Sequence, residues 1–118
     1  MQPIQSKIPV STSEGIYLFN PDEIIRLEAS SNYTYIYFTN RKPMLIAKVL
    51  ANYNEMLSGM GFLRTHRSHL VNSQYIQFID ASGHIIMQDT SRAGLSRRKK
   101  KDVINAIRNH LMHKSLAA

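Results

Sequence analysis

The sequence predicts a mainly β domain with one short inserted helix and one C-terminal helix. Short apolar runs are punctuated by turn residues, and the clearest of them alternate with period two. The apolar period changes to a helical one in two places. Few large apolar residues remain between the turns, which predicts a thin core and an elongated shape.

Taken in order, Ile16–Phe19 reads as a strand, Asn20-Pro21-Asp22 as a turn, and a second apolar run continues through Leu27. Tyr33–Phe38 alternates most cleanly. Tyr33, Tyr35 and Tyr37 fall on one face, and Thr34, Ile36 and Phe38 on the other. Both faces are half-apolar, which suits a strand covered on both sides. Asn40–Pro43 turns the chain into Met44–Ala47, so 33–47 reads as a hairpin. Val49, Leu50, Tyr53, Met56 and Leu57 then recur at helical spacing, ended by Gly59 and Gly61. Phe62–Arg64, Leu70–Asn72 and Tyr75–Ile79 return to strand character, and Asp80–Gly83 turns into His84–Gln88. Val103, Ile104, Ile107 and Leu111 form one helical stripe, whose helix starts near the N-cap residue Ser96. The domain is expected to span 9–111, with frayed termini at 1–8 and 112–118.

With 118 residues the chain forms one domain that can bury a core without staples. It has no cysteine, which removes disulfides and thiolate metal sites and fits a reducing cytoplasm. The start, MQPIQSKIPV, lacks the apolar run of a signal peptide, and no segment approaches the roughly 20 apolar residues of a membrane span. A soluble, cytoplasmic protein with no membrane partner is expected.

The charge is uneven. Residues 1–60 hold five basic and five acidic side chains, whereas 61–118 hold ten and three, so the net +7 lies wholly in the second half. Such asymmetry suits a polyanionic partner, although a merely solubilising surface has the same composition.

Three stretches concentrate polar chemistry. FLRTHRSHLVN, Phe62–Asn72, places Arg64, His66, Arg67, Ser68 and His69 between two apolar pairs. An unbroken strand would bury cations on both faces at several kcal/mol. Strand, exposed loop or bulge, then strand is cheaper, with the side chains of 64–69 turned to solvent or a partner. SRRKKK, Ser96–Lys101, puts five cations at a helix start. The helix dipole there disfavours cations by a few tenths to about 1 kcal/mol each. Successive residues also circle the helix, so the inward ones must snorkel. An arriving phosphate would relieve both conflicts. Finally, SSNYT, Ser30–Thr34, offers hydroxyls and an amide suited to bases or phosphates, but turns use the same residues for backbone reasons.

Catalysis is not indicated. The chain has no P-loop, G-x-G-x-x-G or G-x-S-x-G, and its carboxylates are scattered. His66-x-x-His69 and His110-x-x-His113 have ligand spacing but nothing to complete a site, so neither metal nor cofactor is expected.

Together, EIIRLEASSNYTYIYF (23–38), FLRTHRSHLVN (62–72) followed by YIQFI, and LSRRKKKDV (95–103) resemble a LytTR-type (LytR/AlgR family) DNA-binding domain of bacterial response regulators. The resemblance runs from about Pro9 to Leu111 and departs at Gly94, where proline or another residue is common. It implies an elongated stack of antiparallel sheets with about ten short strands. Loops, rather than a recognition helix, would enter successive major grooves and bend the DNA. Base-contacting positions would fall at or beside Thr34, Arg67 and Arg98, with Asn32, Ser68 and Ser96 adjoining. Arg64, His66, Arg97, Lys99 and Lys100 would chiefly hold phosphates.

The implied function is sequence-specific binding of double-stranded DNA as a transcriptional regulator. Two copies, from a monomer or weak dimer, would bind paired half-sites. A receiver domain or partner histidine-kinase pathway would supply the input, either for a stand-alone member or for a C-terminal output domain. The alternative is an RNA- or anionic-surface-binding module that uses the tyrosine stripe. Duplex reading requires Arg67 and Arg98 to face the same side.

Overall fold

A computed structural model describes the backbone of residues 7–117 and the side chains of 7–109. The described residues form ten strands and two α-helices, with three short 3-10 turns between them. The strands are β1 (Ile8–Thr12), β2 (Gly15–Phe19), β3 (Ile24–Ser30), β4 (Tyr33–Phe38), β5 (Met44–Ile46), β6 (Phe62–His66), β7 (His69–Asn72), β8 (Ile76–Ile79), β9 (His84–Met87) and β10 (Arg92–Gly94). The helices are α1 (Leu50–Leu57) and α2 (Arg97–Ala117). All strand pairing is antiparallel, in a β1-β2 ribbon, a central sheet ordered β5-β4-β3-β7-β6 and an outer sheet ordered β10-β9-β8. The molecule extends over 41 × 39 × 24 Å, elongated along two directions and thin along the third.

The central sheet is the middle layer. One face packs Leu27, Ile36 and Leu70 against Ile8, Val10 and Phe19 of the ribbon and Leu50, Tyr53 and Leu57 of α1. The other face packs Ile25 and Val71 against Ile85, Met87, Ala93 and Leu95 of the outer sheet and its exit, with Val103 of α2. Each fully buried aliphatic or aromatic side chain contributes about 1.5–3 kcal/mol. Ile24 and Ile25 serve opposite cores by strand alternation, and the β3–β4 register shift between Ile24 and Arg26 lets Ile24 and Leu27, three residues apart, share one core.

Several expectations are corrected. Ile8, placed in a frayed terminus, is fully buried in β1. α2 runs through most of 112–118. Neither β1 nor β10 stands out in the sequence, since IPVST and RAG are too short and mixed to show a period. The tyrosine face of β4 is only half-covered, with Tyr33 46% exposed, whereas Thr34, Ile36 and Phe38 are buried. In the C-terminal stripe Val103 and Ile107 pack inward, while Leu111 lies outside the described side chains, as do His110 and His113.

Candidate nucleic-acid interface

Two tight hairpins and one helix start meet at one end of the central sheet. Pairing of Ser30 with Tyr33 leaves Ser31-Asn32 as a two-residue turn, with positive φ (55°) at Ser31 only, as in type II′ turns. Ser31, Asn32 and Tyr33 are exposed. Thr34, at or beside which a base contact is expected, is not: it is fully buried and its hydroxyl donates to the Lys48 carbonyl at 2.7 Å. A side chain held there cannot reach a duplex, because strand alternation turns it into the core.

Between β6 and β7, His66 pairs with His69 and leaves Arg67-Ser68 as the turn. The expected open loop over 64–69 is therefore two residues long. The register shift between Arg64 and His66 makes Thr65 a bulge, which separates the cations without a long loop. Thr65 is fully buried, and its hydroxyl donates to the Gly94 carbonyl at 2.7 Å. The Thr65 carbonyl accepts the Ser96 N–H at 2.9 Å, so the hairpin is stitched to the start of α2. The Ser68 carbonyl accepts the Ala29 N–H at 2.9 Å, which ties the same turn to the end of β3.

Within the hairpin only Arg67 is exposed and free of side-chain partners among the described residues. Arg64 is half-buried. Its Nε donates to the His66 carbonyl at 3.1 Å and its Nη2 to the Arg67 carbonyl at 2.6 Å. Burial lowers the Arg64 pKa from its ordinary value, yet an arginine stays charged. The His66 Nδ1 accepts the Ser68 N–H at 3.1 Å, and its ring meets that of His69 edge-on at 5.6 Å. His69 is held below the usual histidine range chiefly by burial, with Arg26 and His66 adding to the effect and Glu28 opposing it. A Cβ on Gly94 would lie 3.2 Å from the His69 ring and 3.4 Å from that of His66, which explains a glycine at this departure from the family.

Ser96 caps α2, accepting the Lys99 N–H on its carbonyl at 3.1 Å and on its hydroxyl at 3.3 Å. Arg97, Arg98, Lys100 and Lys101 are exposed, and Lys99 is the inward cation that must snorkel. Its Nζ donates to the Arg64 carbonyl at 3.3 Å. Burial first, then the charges of Arg64 and Arg98, lower its pKa. The local field is thus strongly positive, and an anion would relax it.

These elements enclose a groove of about 490 Å³ lined by Asn54, Arg64, His66, Arg67, Ser96, Arg98 and Lys99, with no acidic side chain. Arg67 and Arg98 stand on the same groove. Asn54, contributed by α1, carries no sequence signal, because only packing brings that helix alongside β6. Arg26 and Arg41, by contrast, lie outside this groove, Arg26 buried and Arg41 exposed. Arg26 is buried over Tyr37 at 3.9 Å and paired with Glu28 at 2.7 Å, and Arg41 lies over Tyr17, Phe19 and Phe38. Arg26 thus covers the Tyr37 end of the tyrosine stripe, while Tyr33 at its other end stays exposed. Among the described residues no three His, Cys, Asp or Glu side chains converge, and no helix is long and apolar enough to cross a membrane.

The model of the LytTr DNA-binding domain matches residues 14–108, which include both hairpins, the bulge and the start of α2. The chain belongs to the LytTR DNA-binding domain family. This LytTR domain resembles the LytTr DNA-binding domain of a Bacillus cereus response regulator, with a TM-score of 0.71 and 22% identity over 86% of this chain and 96% of that one. The sensory transduction protein LytR of Staphylococcus saprophyticus is 29% identical over 73 residues, 62% of this chain and 28% of that protein. The heme-containing CO-sensing transcriptional regulator RcoM 1 of Paraburkholderia xenovorans is 32% identical over 89 residues, 73% of this chain and 33% of that protein. The LytTR domain therefore spans about a third or less of the length of these two relatives. The family is a DNA-binding one and not enzymatic.

Proposed function

We propose that this LytTR domain reads double-stranded DNA through three adjoining points. These are the exposed Ser31-Asn32-Tyr33 turn, Arg67 on the β6–β7 turn, and the start of α2 at Arg98. The observation that carries the proposal is the acid-free groove onto which Arg67 and Arg98 both open. Arg67, exposed and unpaired among the described residues, has the planar fork that matches the O6 and N7 edge of guanine. Arg97, Lys99 and Lys100 would hold phosphates, with Ser68 and Ser96 positioned to assist. Thr34 acts from behind the first turn as a brace. Its neighbour Asn32 takes the outward place.

In the cell the domain would act in the cytoplasm as the output part of a regulator controlled by a receiver domain or a histidine-kinase pathway. Two copies would occupy paired half-sites. Selection of bound sequences from a random duplex pool tests both points. The expected product is a short motif repeated at a spacing near one helical turn, roughly 10 base pairs. An unenriched pool would remove sequence-specific reading. Equal competition by single-stranded RNA or anionic vesicles at matched salt would favour a general polyanion binder instead.

A further inference from the structure

The groove contains two arginines that look alike in sequence and differ in what their guanidinium groups do. Arg67 extends from the turn with no partner among the described residues. Arg64 bends back along the same turn and places two of its five N–H donors on consecutive backbone carbonyls, at 3.1 Å on His66 and 2.6 Å on Arg67. Those carbonyls flank the Cα from which the Arg67 side chain springs. The turn has no glycine, proline or positive φ to dictate its type, so these bonds and the Ser68 N–H on His66 Nδ1 add to the His66–His69 pairing and the Ala29 N–H on the Ser68 carbonyl in holding its shape. The Arg64 carbonyl in turn accepts the Lys99 ammonium at 3.3 Å, so the brace also fixes the turn relative to the start of α2.

We infer that Arg64 is a positioning residue: its forked donation to the carbonyls of His66 and Arg67 sets the aim of Arg67, so Arg64 governs base discrimination without touching a base. The inference rests on the duplex-reading role of Arg67 proposed above. It replaces the phosphate-holding role that the family resemblance implies for Arg64. A phosphate contact needs only a point charge, which lysine supplies equally well. Two donors in a fixed plane on two successive carbonyls need the fork, which lysine lacks.

Arg64→Lys therefore separates the two roles. Wild type, Arg64→Lys, Arg67→Ala and Lys100→Ala would be titrated with the selected duplex and its single-base-pair variants over a salt series. Backbone order parameters at Arg67 and Ser68 would be measured in the free protein. Arg64→Lys should keep the wild-type salt slope but lose most of the preference that Arg67→Ala loses, a preference of roughly 5- to 150-fold. Its Arg67 and Ser68 amides should become more mobile than in wild type. The double variant Arg64→Lys/Arg67→Ala should discriminate no worse than Arg67→Ala alone.

Wild-type discrimination and turn order in Arg64→Lys would overturn the inference. So would an even loss over all sequences with a lower salt slope. If Arg67→Ala costs no discrimination while Arg64→Lys still loosens the turn, the bracing stands and the reading role of Arg67 falls. Because Arg64→Lys keeps the stem and charge, its thermal midpoint serves as the folding control, and the amide measurement stays decisive even where DNA affinity is weak.

Discussion

The β6–β7 hairpin and the first turn of α2 present cations to the same groove but hold them by opposite means. In the hairpin one arginine is consumed in bracing the backbone, and a bulge buries the residue next to it, so a single guanidinium is left outward. At the helix start five cations follow one another, four of them exposed, against the sign of the dipole. The hairpin therefore spends charge on geometry, while the helix keeps charge at the expense of stability. Discrimination needs a fixed donor and affinity needs neutralised phosphates, so the contrast separates where the LytTR domain should choose from where it should grip.

The contrast can be broken at its footing. Phe62→Ala removes a side chain that is 2% exposed beneath the hairpin and should cost about 3–5 kcal/mol in denaturant unfolding. A loss below 1 kcal/mol would show that the hairpin is not rigidly anchored. Arg67→Ala should remove about 1–3 kcal/mol of preference at one base pair while other positions keep theirs, read by duplex competition. Ser96→Ala deletes the helix cap and should lower unfolding stability by about 1 kcal/mol.

Two smaller effects sharpen the other half of the comparison. Lys100→Ala should weaken all sequences alike and reduce the slope of log affinity against log salt by about one. A change confined to one base pair would move Lys100 to the discriminating side. Lys101→Glu should raise the thermal stability of the free protein by a few tenths to about 1 kcal/mol, because an anion suits the helix dipole there. It should weaken DNA binding at the same time. Stabilisation and tighter binding together would contradict a helix start kept basic for a polyanion.

Parts of the domain are legible residue by residue. The alternation of Tyr33–Phe38, the spacing of Leu50, Tyr53 and Leu57, and the cap at Ser96 each depend on neighbours within one turn or one pleat. The chain's own geometry displays them. The apolar pairs Phe62-Leu63 and Leu70-Val71 likewise announce two strands with something polar between. β1 and β10 escape notice because a strand of three to five mixed residues acquires its identity from its partner. Ile8 meets Phe19, and Ala93 meets Ile85. The burial of Thr34, at or beside which a base contact is expected, escapes notice for a related reason. Its hydroxyl suits a base as well as a carbonyl, and the Lys48 carbonyl that claims it lies 14 residues away.

The sequence alone determined the charge asymmetry, the β and helical periods, and the two places where cations gather, since all of these are local or additive. Only the tertiary structure decided which cation is free. The bulge at Thr65 and its bonds to Gly94 and Ser96, about 30 residues downstream, turn Arg64 back onto its own turn and leave Arg67 outward. A side chain's direction is set by the carbonyls and walls around it, and those come from parts of the chain that no local period connects.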